Sequence, residues 1–124
     1  MTEYGLIGFP LVHSFSKQFF TEKFANEHIE AEYLNFEIET VDNLIDTIKT
    51  HPLLKGLNVT IPHKQHVMPL LNEMSTDARE IGAVNVIAIK HNADGSLFLK
   101  GYNADVIGFE ESIKSLLAPH HTQA

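Results

Sequence analysis

Hydrophobic and polar residues alternate in several short segments of the chain, and apolar residues recur at helical spacing between those segments. Short apolar runs and period-two alternation predict strands in EYGLIGFP, AEYLNFEI and GLNVTI. Apolar residues on one helical stripe predict helices in SFSKQFFTEKFANEH and VDNLIDTIKTH, which lie between those strands. Because strands alternate with helices, we expect right-handed crossovers and a mostly parallel sheet.

Two further apolar runs, AVNVIAI and SLFLKGY, flank a loop of hairpin type at residues 92–95. If that loop is centred near Asp94, paired residues have numbers that sum to about 187, so Asn85 faces Tyr102 or Asn103. The hairpin adds one antiparallel strand. The pattern therefore predicts one domain, residues 1–124, with a three-layer α/β/α fold and a mainly parallel sheet of about six strands.

Two more helices are expected outside this sheet. Pro62 suits the first turn of a helix, and Val67, Leu70 and Leu71 follow it at apolar spacing. The segment DVIGFEESIKSLL, which begins at Asp105, predicts a final helix.

Composition narrows the class of protein without defining its function. The chain has 124 residues, 16 acidic against 9 basic residues and a formal charge of -7, which argues against a nucleic-acid or anionic-membrane partner. It contains no cysteine, so a disulfide scaffold and a thiolate zinc site are excluded. No apolar run reaches the roughly 18 residues that a membrane span needs, and no basic region precedes the first apolar run. We expect a cytoplasmic protein.

Polar residues cluster where the predicted strands end, and in open sheets of this kind ligands bind beyond the carboxyl ends of the parallel strands. Ser14 and Ser16 stand at a predicted helix start, where one could cap the helix and both could bind an anion such as a carboxylate. Asn58 and Thr60 lie near the end of the third strand and Lys64 follows it, although a lone Lys64 would be an ordinary surface lysine.

The hairpin brings more polar residues to the same edge. Asn85 is an amide inside an apolar strand and needs a partner, which could be the backbone of a neighbouring loop. Asn103 and Asp105 follow the second hairpin strand, where Asp105 could cap the final helix or join the site. For His63 we expect a solvated or packing role. The tail histidines His120 and His121 have no partner at metal-ligand spacing, so we expect no metal site.

The motifs GFPLVHSFS, NVTIPHK, GAVNV and GYNAD resemble, in order and spacing, the N-terminal substrate-binding domain of shikimate dehydrogenases, over about residues 4–110. The chain departs from the family pattern at Lys17, Ala104 and Val106, where the family usually has proline, threonine and glycine. The resemblance implies a cleft that binds shikimate, which the family oxidises reversibly to 3-dehydroshikimate with NADP.

The resemblance also implies roles for individual residues. Ser14 and Ser16 would hold the substrate carboxylate, whereas Thr60, Asn85 and Asp105 would bind its hydroxyl groups. Lys64 would be the catalytic acid/base, paired with Asp105. An alcohol must lose its hydroxyl proton when it is oxidised, and a positioned lysine can accept that proton.

The family continues into an NADP-binding dinucleotide domain, and no G-x-G-x-x-G motif follows any strand in this chain. We therefore expect one domain of a two-domain enzyme, inactive without its C-terminal dinucleotide-binding domain. The alternative is a stand-alone protein that binds shikimate-like hydroxy acids without redox chemistry.

Overall fold

The computed structural model describes residues 2–11 and 15–103 of the chain. It contains six strands, β1 (Thr2–Gly8), β2 (Ala31–Glu37), β3 (Leu54–Val59), β4 (Glu73–Met74), β5 (Val86–His91) and β6 (Leu97–Tyr102). Its helices are α1 (Phe15–Asn26), α2 (Leu44–Lys49) and α3 (Thr76–Ile81), and short 3-10 turns lie at Val41–Asn43 and Met68–Leu70.

The six strands form one sheet in the order β2-β1-β3-β5-β6-β4. Strand β1 pairs in parallel with β2 and β3, and β4 pairs in parallel with β6. Strand β5 is antiparallel to both of its neighbours, β3 and β6. The prediction of a mainly parallel sheet with one antiparallel strand is therefore confirmed.

The hairpin formed by β5 and β6 has almost the register that its loop predicted. Val86 pairs with Tyr102, a register that places Asn85 opposite Asn103, one of the two partners predicted for it. At the loop, Gly95 has φ 89°, a left-handed conformation that glycine adopts without a steric penalty. The Asp94 carboxylate accepts hydrogen bonds from the backbone N–H and the hydroxyl of Ser96, and these bonds lower the pKa of Asp94.

Apolar side chains cover both faces of the sheet, because successive residues of a strand point to opposite faces. On one face, α1 contributes Phe20 and Phe24 to a cluster that includes Tyr4, Leu6 and Tyr33. On the other face, residues of α2 and α3 pack against the alternate strand positions, including Ile7, Leu57 and Ile87. Helices on both faces give the three layers that the strand–helix order predicted.

The prediction of a helix after Pro62 is wrong. Residues 62–71 form turns that end in the 3-10 turn at Met68–Leu70. In an α-helix, the carbonyl of Lys64 would accept from the N–H of Met68. Instead it accepts from Val84 across the fold at 2.8 Å, while the Met68 N–H donates to Gln65. A tertiary hydrogen bond thus replaces the helical one.

The short helix α3 was not predicted, although its sequence carries both end signals. The Ser75 hydroxyl accepts from the Ala78 N–H at 3.2 Å, which is an N-cap, and Gly82 ends the helix with φ 78°. The predicted final helix after Asp105 lies outside the described residues.

Candidate functional site at the carboxyl edge of the sheet

The carboxyl ends of β1, β2 and β3 meet at one edge of the sheet, where backbone hydrogen bonds join the segments that leave them. The N–H of Thr60 donates to the carbonyl of Ile7 at 2.9 Å, and the N–H of Ile38 donates to the carbonyl of Gly8 at 3.2 Å. The N–H of Phe9 donates to Ile61 at 3.0 Å. Main-chain hydrogen bonds therefore hold together the segments at the edge where the sequence predicts the ligand-binding residues.

Thr60 lies directly against the end of β1. A Cβ atom added to Gly8 would lie 2.4 Å from the Thr60 Cγ2 atom and 2.9 Å from the Leu11 Cδ2 atom. Such distances are far inside van der Waals contact, so only glycine allows this approach. The half-buried Thr60 is consequently fixed against the segment that follows β1.

Lys64 and Asn85 approach each other through the main chain. The Lys64 carbonyl accepts from the N–H of Val84 at 2.8 Å, and the Val59 N–H donates to the carbonyl of Asn85 at 2.8 Å. The Lys64 side chain is exposed to solvent. The structure thus brings the lysine-bearing loop and the amide-bearing start of β5 together at the end of β3.

The end of β6 completes this edge. The N–H of Asn85 donates to the carbonyl of Tyr102 at 3.0 Å, and the Asn103 side chain donates to the carbonyl of Ala83 at 3.0 Å. Asn103 is therefore tied to the segment beside Lys64. Asp105, Ser14 and the side chain of Ser16 lie outside the described residues.

His63 is fully buried, with no exposed surface. Its Nε2 atom lies 2.6 Å from the carbonyl oxygen of Ile38, which can only accept, so Nε2 carries the hydrogen. The N–H of His63 also donates to the carbonyl of Thr60 at 3.0 Å. Of the two roles considered from the sequence, packing is the one observed, and it links the Lys64 loop to the end of β2.

Asn58 is a polar residue within β3. Its Nδ2 atom donates to the phenol oxygen of Tyr33 at 2.8 Å. Tyr33 is buried, whereas Asn58 is partly exposed. The sequence places Asn58 in the candidate cluster, but its tyrosine partner on β2 could not be inferred without the pairing of the strands.

Together, these residues supply the hydroxyl of Thr60, the amides of Asn58, Asn85 and Asn103 and the ammonium group of Lys64 at one sheet edge. Such groups can bind a polyhydroxylated small molecule and exchange a proton with it. In the described part of the chain, no three His, Asp or Glu side chains are grouped so that they could hold a metal ion. None of the described helices has the length and hydrophobicity that a membrane-spanning helix requires.

Comparison with known proteins identifies the family. Residues 6–87 match the family described as shikimate dehydrogenase substrate binding domain. The shikimate dehydrogenase (NADP(+)) of Pyrococcus abyssi is 40% identical over 114 residues, which cover 92% of this chain and 41% of that protein. The chain therefore spans about two fifths of the length of this relative.

Solved structures agree with the sequence match. The crystal structure of shikimate dehydrogenase 1 from Peptoclostridium difficile has a TM-score of 0.75 at 39% identity, covering 92% of this chain and 41% of that one. The Thermus thermophilus shikimate 5-dehydrogenase in complex with shikimate has a TM-score of 0.72 at 28% identity, and the match covers 93% of this chain and 42% of that one. This chain belongs to the shikimate dehydrogenase substrate binding domain family.

Proposed function

We propose that this chain is the substrate-binding part of a cytoplasmic, NADP-dependent shikimate dehydrogenase, which interconverts shikimate and 3-dehydroshikimate in aromatic amino acid (chorismate) biosynthesis. The observation that carries the proposal is the approach of Thr60, Lys64 and Asn85 at the carboxyl edge of the sheet, in a chain of this family.

The proposed ligand groups suit the chemistry of shikimate, a carboxylate on a ring with three hydroxyls. Ser14 and Ser16 bind the carboxylate, because hydroxyls at the start of a helix add to its backbone N–H groups and its positive dipole. Thr60, Asn85 and Asp105 bind the ring hydroxyls. Support for the carboxylate site comes from helix α1, which spans 12 residues from Phe15 and includes Ser16 in its first turn.

Lys64 is the proposed acid/base. Oxidation of a ring alcohol to a ketone releases the hydroxyl proton, which the neutral amine of Lys64 accepts, and the reverse reaction returns it. Asp105 pairs with Lys64 and orients it and the substrate. The bond between the Lys64 carbonyl and the Val84 N–H supports this role, because it fixes the main chain from which the amine extends.

NADP+ supplies the hydride acceptor in such an oxidation. This chain has no G-x-G-x-x-G turn to cradle its phosphates. We therefore propose that NADP binds to a separate dinucleotide-binding domain. This domain would correspond to the part of the relatives that this chain does not match.

Two measurements on the 124-residue chain test the proposal. In an NMR titration with shikimate, amide shifts should change at Ser14, Ser16, Thr60 and Asn85, with weak affinity because one wall of the cleft is missing. Mixing the chain with shikimate and NADP+ should yield no NADPH, since the hydride acceptor has nowhere to dock. Absence of shikimate binding, or substantial NADPH formation by this chain alone, would contradict the proposal.

A further inference from the structure

The hydrogen bond between Tyr33 and Asn58 connects the buried aromatic cluster to the candidate site. The two residues lie on β2 and β3, with β1 between them in the sheet. Asn58 precedes Thr60 by two positions, so it lies next to the site along the strand. Leu57 and Val59 pack into the core on the α2 side, whereas Asn58 reaches Tyr33 on the α1 side.

Packing holds the Tyr33 ring in place. Its exposed fraction is 1%, and it stacks on the Phe20 ring of α1 with centroids 5.0 Å apart and planes inclined by 19°. A buried, stacked ring has little rotational freedom. Its phenol oxygen is therefore a fixed point to which the more exposed Asn58 amide is bound.

This bond sets the orientation of the amide. The Nδ2 atom of Asn58 faces Tyr33, because it donates to the phenol oxygen. The Oδ1 atom is then left as an acceptor for a ligand, and a hydroxyl of a polyol is a donor that matches it. Without the phenol, the amide could rotate and present its N–H groups instead.

We propose that Tyr33 is a positioning residue for substrate binding: it holds the Asn58 amide so that Oδ1 accepts a hydrogen bond from a ring hydroxyl of shikimate. The inference rests on the proposed function. Tyr33 does not touch the substrate and acts through Asn58 alone.

Tyr4 offers a matched control within the same cluster. It pairs with Tyr33 across β1 and β2, and it is likewise buried, with 0% exposed. Its hydroxyl has no hydrogen-bond partner in the structure. Tyr4→Phe and Tyr33→Phe therefore remove the same atom from neighbouring buried rings, but only Tyr33→Phe releases Asn58.

The experiment measures shikimate affinity by calorimetry or NMR titration for the wild-type chain, Tyr33→Phe, Tyr4→Phe, Asn58→Ala and the double variant Tyr33→Phe/Asn58→Ala. Tyr33→Phe should weaken binding about five- to tenfold, the effect of one hydrogen bond, and Tyr4→Phe should leave it unchanged. In the Asn58→Ala background, Tyr33→Phe should have no further effect. A merely structural role of Tyr33 would weaken binding equally in both backgrounds.

The outcomes separate this inference from the proposed function. If the wild-type chain binds shikimate and Tyr33→Phe binds it equally well, the inference is wrong and the function stands. An effect of Tyr33→Phe that persists without Asn58 also overturns the inference. If the wild-type chain does not bind shikimate, both are overturned.

Discussion

The backbone N–H of Val84 donates a hydrogen bond to the carbonyl of Lys64 at 2.8 Å. This bond joins the loop after β3 to the start of β5, and it brings the lysine beside Asn85. It also takes the carbonyl that an α-helix after Pro62 would have used. One tertiary contact thus removes a predicted helix and assembles part of the candidate site.

Replacement of Lys64 by alanine should separate catalysis from binding. In the proposed enzyme with its dinucleotide-binding domain, Lys64→Ala should lower kcat by roughly 100-fold or more, because the proposed acid/base is lost, with less effect on shikimate affinity. Steady-state NADPH formation and a shikimate titration provide the two measurements. Lys55→Ala, at the start of β3, is the control and should retain full activity. An unchanged kcat in Lys64→Ala would rule out the proposed role.

Gly8→Ala should destabilise the domain, since the added methyl group would lie 2.4 Å from the Thr60 Cγ2 atom. Overpacking of this kind costs about 1 to 3 kcal/mol of unfolding free energy, measurable by urea denaturation. Thr60→Ser removes the clashing methyl group, so Gly8→Ala/Thr60→Ser should recover part of the loss. If the effects of the two substitutions simply add, or the double variant is less stable than their sum, the clash is not the cause.

The buried His63 should contribute to stability both by its volume and by its hydrogen bond to Ile38. The Nε2 atom of His63 lies 2.6 Å from the Ile38 carbonyl oxygen. His63→Ala should cost about 3 kcal/mol of unfolding free energy, because it leaves a cavity and an unpaired acceptor. His63→Phe fills the volume and should cost only about 1 to 2 kcal/mol. Equal losses in the two variants, measured by urea denaturation, would contradict this assignment.

Tyr4 should make stability depend on pH in the alkaline range. Burial raises the pKa of its phenol above the ordinary tyrosine value. Above about pH 10, the unfolded chain loses this proton while the folded chain keeps it, so the unfolded state binds fewer protons and stability falls as pH rises. Below that pH the contribution is fully present.

Tyr4→Phe removes the titrating group, so its unfolding free energy should fall less than that of the wild type between about pH 8 and about pH 11. Urea denaturation at the two pH values gives the comparison, and lysine titration is common to both proteins. Parallel losses in the two proteins would show that Tyr4 does not titrate as proposed.

The sequence by itself predicted five of the six described strands and their general arrangement, but not the two-residue strand β4. Alternation and apolar runs mark β1, β2, β3 and the hairpin, because side-chain period and burial follow directly from local geometry. Turn residues determined the hairpin register to within one position. The sequence also predicted that Thr60, Lys64, Asn85 and Asn103 would lie at one edge, because polar groups after buried strands gather at a single edge of such a sheet.

The tertiary structure decided what local patterns leave open. The residues after Pro62 have apolar spacing that suits a helix, but Val84 takes the Lys64 carbonyl, and Ile38 accepts from the His63 ring, 25 residues away. The partnership of Tyr33 with Asn58 likewise spans 25 residues and depends on which strands are neighbours. These bonds join segments that are distant in sequence, so their energies appear only when the sheet has formed, and no local pattern encodes them.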